Sequence, residues 1–360
     1  MPSTPENPAS VPARQRRGHG RQTLEAVAQR AGVTAMTVSR FLRQPDRVAA
    51  DTAVRIRTAL ADTGYLPNKQ AGQLASGQSN IVAAIIPSIA NSIFAETVQG
   101  LSDGLQAAGH ELLLASTGYS LEREEVQLRA VLGWSPSAVV VTGRHHSARA
   151  LTLLHAAQRG GTPVVEVWDR HDPSADPAFT RIGFDHEQVG HMMARHLLDR
   201  GHRRLAYVDS GVAEDFRAHE RGAGFAAAAR AAGAQVKVLK APAGDAFDAG
   251  RAALAELLKA QRAPATAAAF ANDNLACGAL LEAQARRVAI PERLSIMGFG
   301  DFAIGRQLQP ALTTVRPPRY EIGRAAAEVL VALLAGELST DGRLLPCELI
   351  PRDSTAKAAQ

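Results

Sequence analysis

Residues 23–42 read TLEAVAQRAGVTAMTVSRFL, and residues 64–68 read GYLPN. Thr23 caps a helix over Leu24 to Arg30, because Leu24, Val27, Ala28 and Ala31 recur at spacings of three and four and share one face. Gly32 stops that helix. Thr34 caps a second one through Arg43, with Val38, Phe41 and Leu42 as its buried stripe and Pro45 forbidding continuation. A third helix is expected from Asp51 to Thr63, with Val54, Ile56 and Leu60 inward and Gly64 at its end. Two short helices joined by a glycine turn and backed by a third make a helix-turn-helix unit, whose second helix can enter the major groove of DNA. Another small three-helix domain could share the spacing.

The charge distribution helps to separate these alternatives. Residues 1–79 hold 11 Lys and Arg against 5 Asp and Glu, whereas the rest of the chain holds 29 against 30. The excess positive charge therefore lies at the N-terminal end, where it suits a polyanion such as DNA. By charge alone a solvated basic tail would look the same. Residues 1–20 are rich in Pro, Ser, Ala and Arg with no apolar period, and are expected to be a disordered tail. The helix-turn-helix domain then occupies 21–66, a linker 67–79 and a larger body 80–360.

Beyond Gly77 the pattern alternates. Short apolar runs at 81–86, 111–115, 138–142, 163–167, 204–208, 235–239, 266–270 and 294–298 are separated by Ala-rich amphipathic stretches. Such alternation implies an α/β body with doubly wound parallel sheets and right-handed crossovers. At 360 residues the chain has room for two lobes besides the N-terminal domain. No apolar run reaches the roughly 18–20 residues of a membrane span, and the polar start lacks a signal-peptide core. A cytoplasmic protein with no membrane partner is expected. Cys277 and Cys347 are far apart and are read as reduced, structural cysteines.

With these strings on the page, the chain resembles the lactose-repressor (LacI) family along essentially its whole length. The resemblance implies a core like that of periplasmic sugar-binding proteins, with two lobes, three crossovers and the ligand between them. The lobe change is expected near Arg181 and the return near Thr313 to Pro318. One lobe would take about 80–180 plus 316–340, the other about 181–315 plus 341–354. The resemblance also makes Lys69 to Ser76 a hinge helix in the minor groove, where Leu74 of each subunit wedges into a base step. Its shortness and Gly72 make that helix marginal without DNA; a plain flexible linker would use the same residues.

On the second helix the N-terminal residues face base edges. Ala35 and Met36 suit a thymine methyl, and Arg40, one turn on, can reach guanine O6 and N7. Thr23, Thr34, Thr37, Ser39 and Asn68 suit phosphate oxygens, and Arg43 joins them as a DNA contact. The threonines could equally serve as helix caps.

The family's cleft positions fall at strand ends, where open α/β sheets bind ligands. They assign Ser88, Asn91 and Phe94 in PSIANSIF (87–94), Thr142, Arg144 and His146 in TGRHHS (142–147), and Glu166 in PVVEVWD (163–169). Further candidates are Arg221 in RGAGF (221–225), Asn272 in ANDNLACGA (271–279), and Asp301. The TGRHHS and Glu166 segments resemble the gluconate-operon repressor group. Gluconate is a linear polyol with a carboxylate, so Arg221 or Arg144 can bind its acid group while Glu166 and Asn272 bracket hydroxyls. Many relatives carry an acidic residue where this chain has Gly300, and its loss leaves room for an anion. Asp273 is read as satisfying backbone donors. Of His145 and His146, one is expected to touch sugar and the other water; no adjoining ligand completes a metal site, and no cofactor is implied.

The expected function is therefore a transcriptional repressor rather than an enzyme. A homodimer binds a palindromic double-stranded DNA operator and is released by gluconate, 6-phosphogluconate or 2-ketogluconate. A corepressing effector or a different sugar stays open. A transport binding protein would share the core but not the headpiece, and no P-loop, G-x-S-x-G elbow or paired-carboxylate site argues for catalysis. The C-terminal RDSTAKAAQ lacks leucine heptads, which favours a dimer over a tetramer.

Overall fold

A computed structural model describes residues 22–66, 79–89, 92–170, 179–259, 264–337 and 342–358. The expected tail, the hinge helix with Leu74, and Asn68 and Asn91 lie outside those residues. The chain divides between Gln78 and Ser79 into two compact units.

Among its described residues the first unit holds three α-helices: α1 (Leu24–Ala31), α2 (Ala35–Arg43) and α3 (Ala50–Thr63). The Thr23 hydroxyl accepts from Ala26 N at 3.3 Å and the Thr34 hydroxyl from Thr37 N at 3.2 Å, so both caps form where expected. Gly32 turns the chain at φ +65°, a left-handed conformation that a side chain would strain. Val27, Ala28, Val38, Phe41, Ala53, Ile56 and Ala59 form the core. Val54, expected inward, is 58% exposed. Two residues span about 200° of helix, so Val54 and Ile56 cannot share a face, and Ala53, Ile56 and Ala59 make the buried row at a spacing of three.

The second unit holds two six-stranded sheets. Its elements are β1 (Ile81–Ile86), α4 (Ala95–Ala107), β2 (Glu111–Ser116), α5 (Leu121–Leu132), β3 (Ala138–Thr142), α6 (Ala148–Arg159), β4 (Val164–Val167) and β5 (Thr180–Gly183). The chain continues as α7 (His186–Leu198), β6 (Arg204–Asp209), α8 (Phe216–Ala231), β7 (Gln235–Lys240), α9 (Ala246–Leu258), β8 (Ala267–Phe270) and α10 (Asp273–Ala285). It ends as β9 (Ser295–Phe299), α11 (Ala303–Gln307), β10 (Thr313–Arg316), α12 (Arg319–Leu334), β11 (Arg343–Leu344) and β12 (Glu348–Ile350). One sheet runs β11-β5-β4-β3-β1-β2 and the other β12-β10-β9-β8-β6-β7. Every pairing is parallel except β10 with β12.

Each of the eight apolar runs read from the sequence is a strand. The lobe boundaries move, however. Thr180–Gly183 pairs with β4, so the first lobe extends past Arg181, and Arg343–Leu344, expected in the second lobe, pairs with β5 in the first. Arg181 concealed its strand because a charged residue breaks the apolar run; here it is buried and ion-paired to Glu166 on β4.

Three helix pairs pack backbone to backbone through one glycine from each partner: Gly100 with Gly323, Gly190 with Gly224, and Gly250 with Gly278. A Cβ at Gly278 would lie 2.0 Å from the Phe247 carbonyl oxygen, and one at Gly190 would lie 2.0 Å from that of Arg221. No side chain fits there unless the helices separate. Gly278→Val should therefore destabilise the protein by about 1–3 kcal/mol or more, read as a lower urea midpoint; an unchanged midpoint would mean that α9 and α10 are free to part.

Candidate functional site

In the first unit, Met36, Arg40 and Arg43 stand at i, i+4 and i+7 on the exposed face of α2, with Met36 69% exposed. Ala35 is half-buried against the core, whereas Met36 and Arg40 face outward. The Thr34 and Thr37 hydroxyls share a hydrogen bond of 2.9 Å at the helix N-terminus, where a phosphate is also favoured by the helix dipole. Arg43 Nη2 donates to the Ser39 hydroxyl at 3.2 Å.

In the second unit a narrow cavity of about 20 Å³ lies between the lobes at the carboxyl ends of the strands. The first lobe lines it with Ile93, Phe94, Tyr119 and Trp168; the second contributes His186, Asp215, Arg217, Arg221, Asn272 and Phe299. Arg221 is the most tightly held. Its Nη2 donates to the Ala271 carbonyl at 2.8 Å, its Nη1 to the Arg217 carbonyl at 3.2 Å, and its guanidinium lies 4.0 Å over the Phe299 ring. Nη1 is also 3.0 Å from His186 Nδ1, and His186 Nε2 is 2.7 Å from the Trp168 carbonyl. A carbonyl only accepts, so Nε2 carries the proton and Nδ1 accepts from Arg221. Burial, with the nearby charges of Arg221 and Arg217, holds the His186 pKa well below its ordinary value and keeps the ring neutral. Close approach at Gly190, one turn after His186, is what brings α7 near enough to α8 for this bond.

The cavity thus gathers Phe94, Arg221 and Asn272 from the expected set. The Asn272 side-chain oxygen Oδ1 also caps α10 by accepting from Leu275 N at 3.0 Å. Arg217, His186, Asp215, Tyr119 and Trp168 were missed. Arg217 precedes Arg221 by four residues and so shares its helix face, a signal the sequence does carry. Trp168 and Tyr119 adopt φ of +71° and +66°, a strained region for bulky residues that recurs at ligand sites.

The other candidates lie elsewhere. Arg144 reaches across the lobes: its Nη2 donates to Glu220 at 2.6 Å and its backbone N to Asp169 at 3.0 Å, while His145 Nε2 sits 3.0 Å from the same Glu220 carboxylate. His146, expected to touch sugar or water, is wholly buried beside Glu124 at 2.8 Å and Glu166 at 3.3 Å, with Arg181 on the far side of Glu166. Glu166 therefore balances buried charge instead of bracketing hydroxyls from the cavity wall. Asp301 is buried and paired with Arg316 and Arg352, so it ties the β9 turn to β10 and the C-terminal segment. The Thr142 hydroxyl donates to the Ile85 carbonyl at 3.1 Å, and Ser88 stands half-buried beyond β1; neither lines the cavity. Asp273 behaves as read, accepting from Phe302 N at 2.8 Å and the Thr314 hydroxyl at 2.6 Å.

Burial opposes charging of His146, but hydrogen bonds to Glu124 and Glu166 and the charges of both outweigh it and raise its pKa to about 9. A histidine raised in the folded state contributes stability that is complete below its unfolded pKa and is lost as pH rises through the folded one. The unfolding midpoint should therefore fall as pH climbs from about 6.5 through about 9. His146→Gln should flatten that descent, and parallel profiles would show that His146 is not charged.

Comparison with known proteins agrees with this arrangement. Residues 23–68 match the family described as bacterial regulatory proteins, lacI family, and residues 194–355 the periplasmic binding protein-like domain. The chain is 38% identical over 339 residues to the HTH-type transcriptional regulator GntR of Pseudomonas aeruginosa, covering 93% of this chain and 96% of that one. It is 34% identical to the GntR regulator of Escherichia coli over 89% of this chain and 94% of that one. The crystal structure of a LacI-family transcriptional regulator from Silicibacter pomeroyi superposes with a TM-score of 0.84 at 33% identity, covering 92% of this chain and 99% of that one. Headpiece, two-lobed core and near full-length identity all lead to one assignment: the chain is a DNA-binding transcriptional regulator of the LacI family.

Proposed function

We propose that this regulator is a cytoplasmic repressor that binds a palindromic operator as a homodimer and leaves it when a small sugar acid occupies the cavity. In this reading residues 21–66 read DNA, 67–79 form the joint and 80–360 sense the effector. The observation that carries the choice of effector is the pair Arg217 and Arg221, 8% and 5% exposed, converging on one cavity with Asn272 and neutral His186. Arg217 has the buried Asp169 carboxylate and the cavity-lining Asp215 near it, so it is Arg221, held by carbonyls and a neutral imidazole, that favours an anionic ligand. An amide and an imidazole beside it suit hydroxyls, and the aromatic wall suits a carbon chain. Gluconate, 6-phosphogluconate and 2-ketogluconate carry the groups these residues select, and each needs the two lobes to part to widen the cavity of about 20 Å³.

Because both lobes line the cavity, a ligand held by both favours one relative arrangement of the lobes. Differential affinity of this kind is what a switch requires. The Arg144 and His145 contacts to Glu220 span the same two lobes, so a ligand that shifts the lobes works against them.

Arg40→Ala should weaken operator binding by about 1–3 kcal/mol and relax its sequence preference, measured by fluorescence anisotropy on a selected operator; unchanged affinity and footprint would remove α2 from the groove. Arg221→Met should abolish the release of operator by sugar acids. Release by that variant at wild-type ligand concentrations would take Arg221 out of the site.

A further inference from the structure

The chain crosses between the lobes from β5 to α7 through Phe184 and Asp185, and again from β11 to β12 through Leu345, Pro346 and Cys347. Leu345 N donates to the Gly183 carbonyl at 2.7 Å, so the two crossovers start side by side. Against them and α7 lies a cavity of about 480 Å³, far larger than the one between the lobes and within the range of about 300–1,000 Å³ usual for small-molecule sites. Its walls are mainly apolar: Phe184, Val189 and Met192 come from the first crossover and α7, and Leu344 and Leu345 from β11 and the second crossover. The charged residues of the wall, Arg170 and Asp185, are paired with each other at 2.5 Å, and the second Asp185 oxygen caps α7 by accepting from Gln188 N at 3.1 Å. Phe184 links this cavity to the other one. Its ring centre is 4.5 Å from that of His186, 5.7 Å from that of Trp168 and 6.1 Å from that of Phe299, and those three residues line the cavity between the lobes.

We propose that this hinge cavity is a second small-molecule site, that it takes an uncharged, ring-bearing molecule, and that its occupant biases the arrangement of the lobes. The proposal does not depend on the identity of the effector. The Arg170–Asp185 pair is neutral as a unit and leaves no counter-charge for a ligand, so a charged molecule would lose its hydration there without a partner to replace it. An apolar ring body instead gains by leaving water, and it covers Leu344, which is 68% exposed, and the half-buried Met192, whose flexible side chain adapts to the shape of its neighbour. Gln188, also in the wall and exposed, offers an amide to one hydroxyl or carbonyl of the ligand. Rotation of one lobe against the other turns the chain at its crossovers, which are the walls of this cavity. An occupant therefore fits one arrangement better than the other, the condition for shifting a population, and Phe184 carries the shift to the wall of the cavity between the lobes.

The probes are N-phenyl-1-naphthylamine, which is uncharged and brightens in apolar surroundings, and 1-anilinonaphthalene-8-sulfonate, the same ring system with a negative charge. The chain has two tryptophans, so in full-length Trp134→Phe protein Trp168, beside Phe184, is the energy donor. The uncharged probe should fill one saturable site with energy transfer from Trp168, and bind about tenfold or more tighter than the sulfonate. Leu344→Asp, at an exposed position, and Met192→Gln should each weaken it by about tenfold. Circular dichroism shows which variants are folded, and Leu344→Asp carries the test if Met192→Gln is not. Operator affinity, read by fluorescence anisotropy on a selected operator, should shift by about fivefold or more at saturating uncharged probe, and the shift should vanish in Leu344→Asp at the same concentration. Binding that does not saturate, equal or tighter binding of the sulfonate, or undiminished affinity in folded Leu344→Asp overturns the site. Operator affinity indifferent to saturating probe overturns its influence on the lobes.

Discussion

Two guanidinium groups, those of Arg217 and Arg221, are held almost out of water four residues apart on α8. Taking an ion out of water costs several kcal/mol unless oriented acceptors replace the solvent. Around Arg221 those acceptors are backbone carbonyls of Arg217 and Ala271 and the lone pair of a neutral histidine, none of which carries negative charge. Arg217, by contrast, has the buried Asp169 carboxylate close by, and Asp215 lines the same cavity, so of the two it is Arg221 whose hydrogen-bond partners, among the described residues, carry no charge.

Holding such a site in place requires a rigid frame. The three glycine contacts supply it by letting paired helices meet at their backbones, where packing leaves no slack for a side chain to adjust. The contact between Gly190 and Gly224 also aligns His186 with Arg221, so core packing and ligand chemistry are the same constraint viewed from two sides. The buried cluster of Glu124, His146, Glu166 and Arg181 does a similar task in the first lobe, fixing the loop that carries Arg144 and His145 towards Glu220.

Six of the eight apolar runs were legible because strands buried on both faces read as continuous hydrophobic segments, while the half-exposed edge strands β2 and β7 still showed short runs of Leu or Val. Thr180–Gly183 was not, since Arg181 interrupts it, and Arg343–Leu344 was not, since two exposed residues carry no periodic signal. Among the site residues, Arg221, Phe94 and Asn272 could be placed from their segments. His146 and Glu166 misled because a charged side chain near a strand end is equally compatible with facing a ligand and with facing another buried charge.

The sequence by itself determined the local structure: helix caps at Thr23 and Thr34, the stop at Gly32, the alternation of strands and helices, and the concentration of positive charge at one end. These depend on neighbours within a few residues, whose chemistry is written in order along the chain. Only the tertiary structure decided which charges face the cavity and which face each other. Arg217 and Glu220 lie on one helix, yet one lines the cavity while the other reaches Arg144 across the lobes. That difference is set by partners 50 to 100 positions away, whose distance in space follows from sheet order and helix packing.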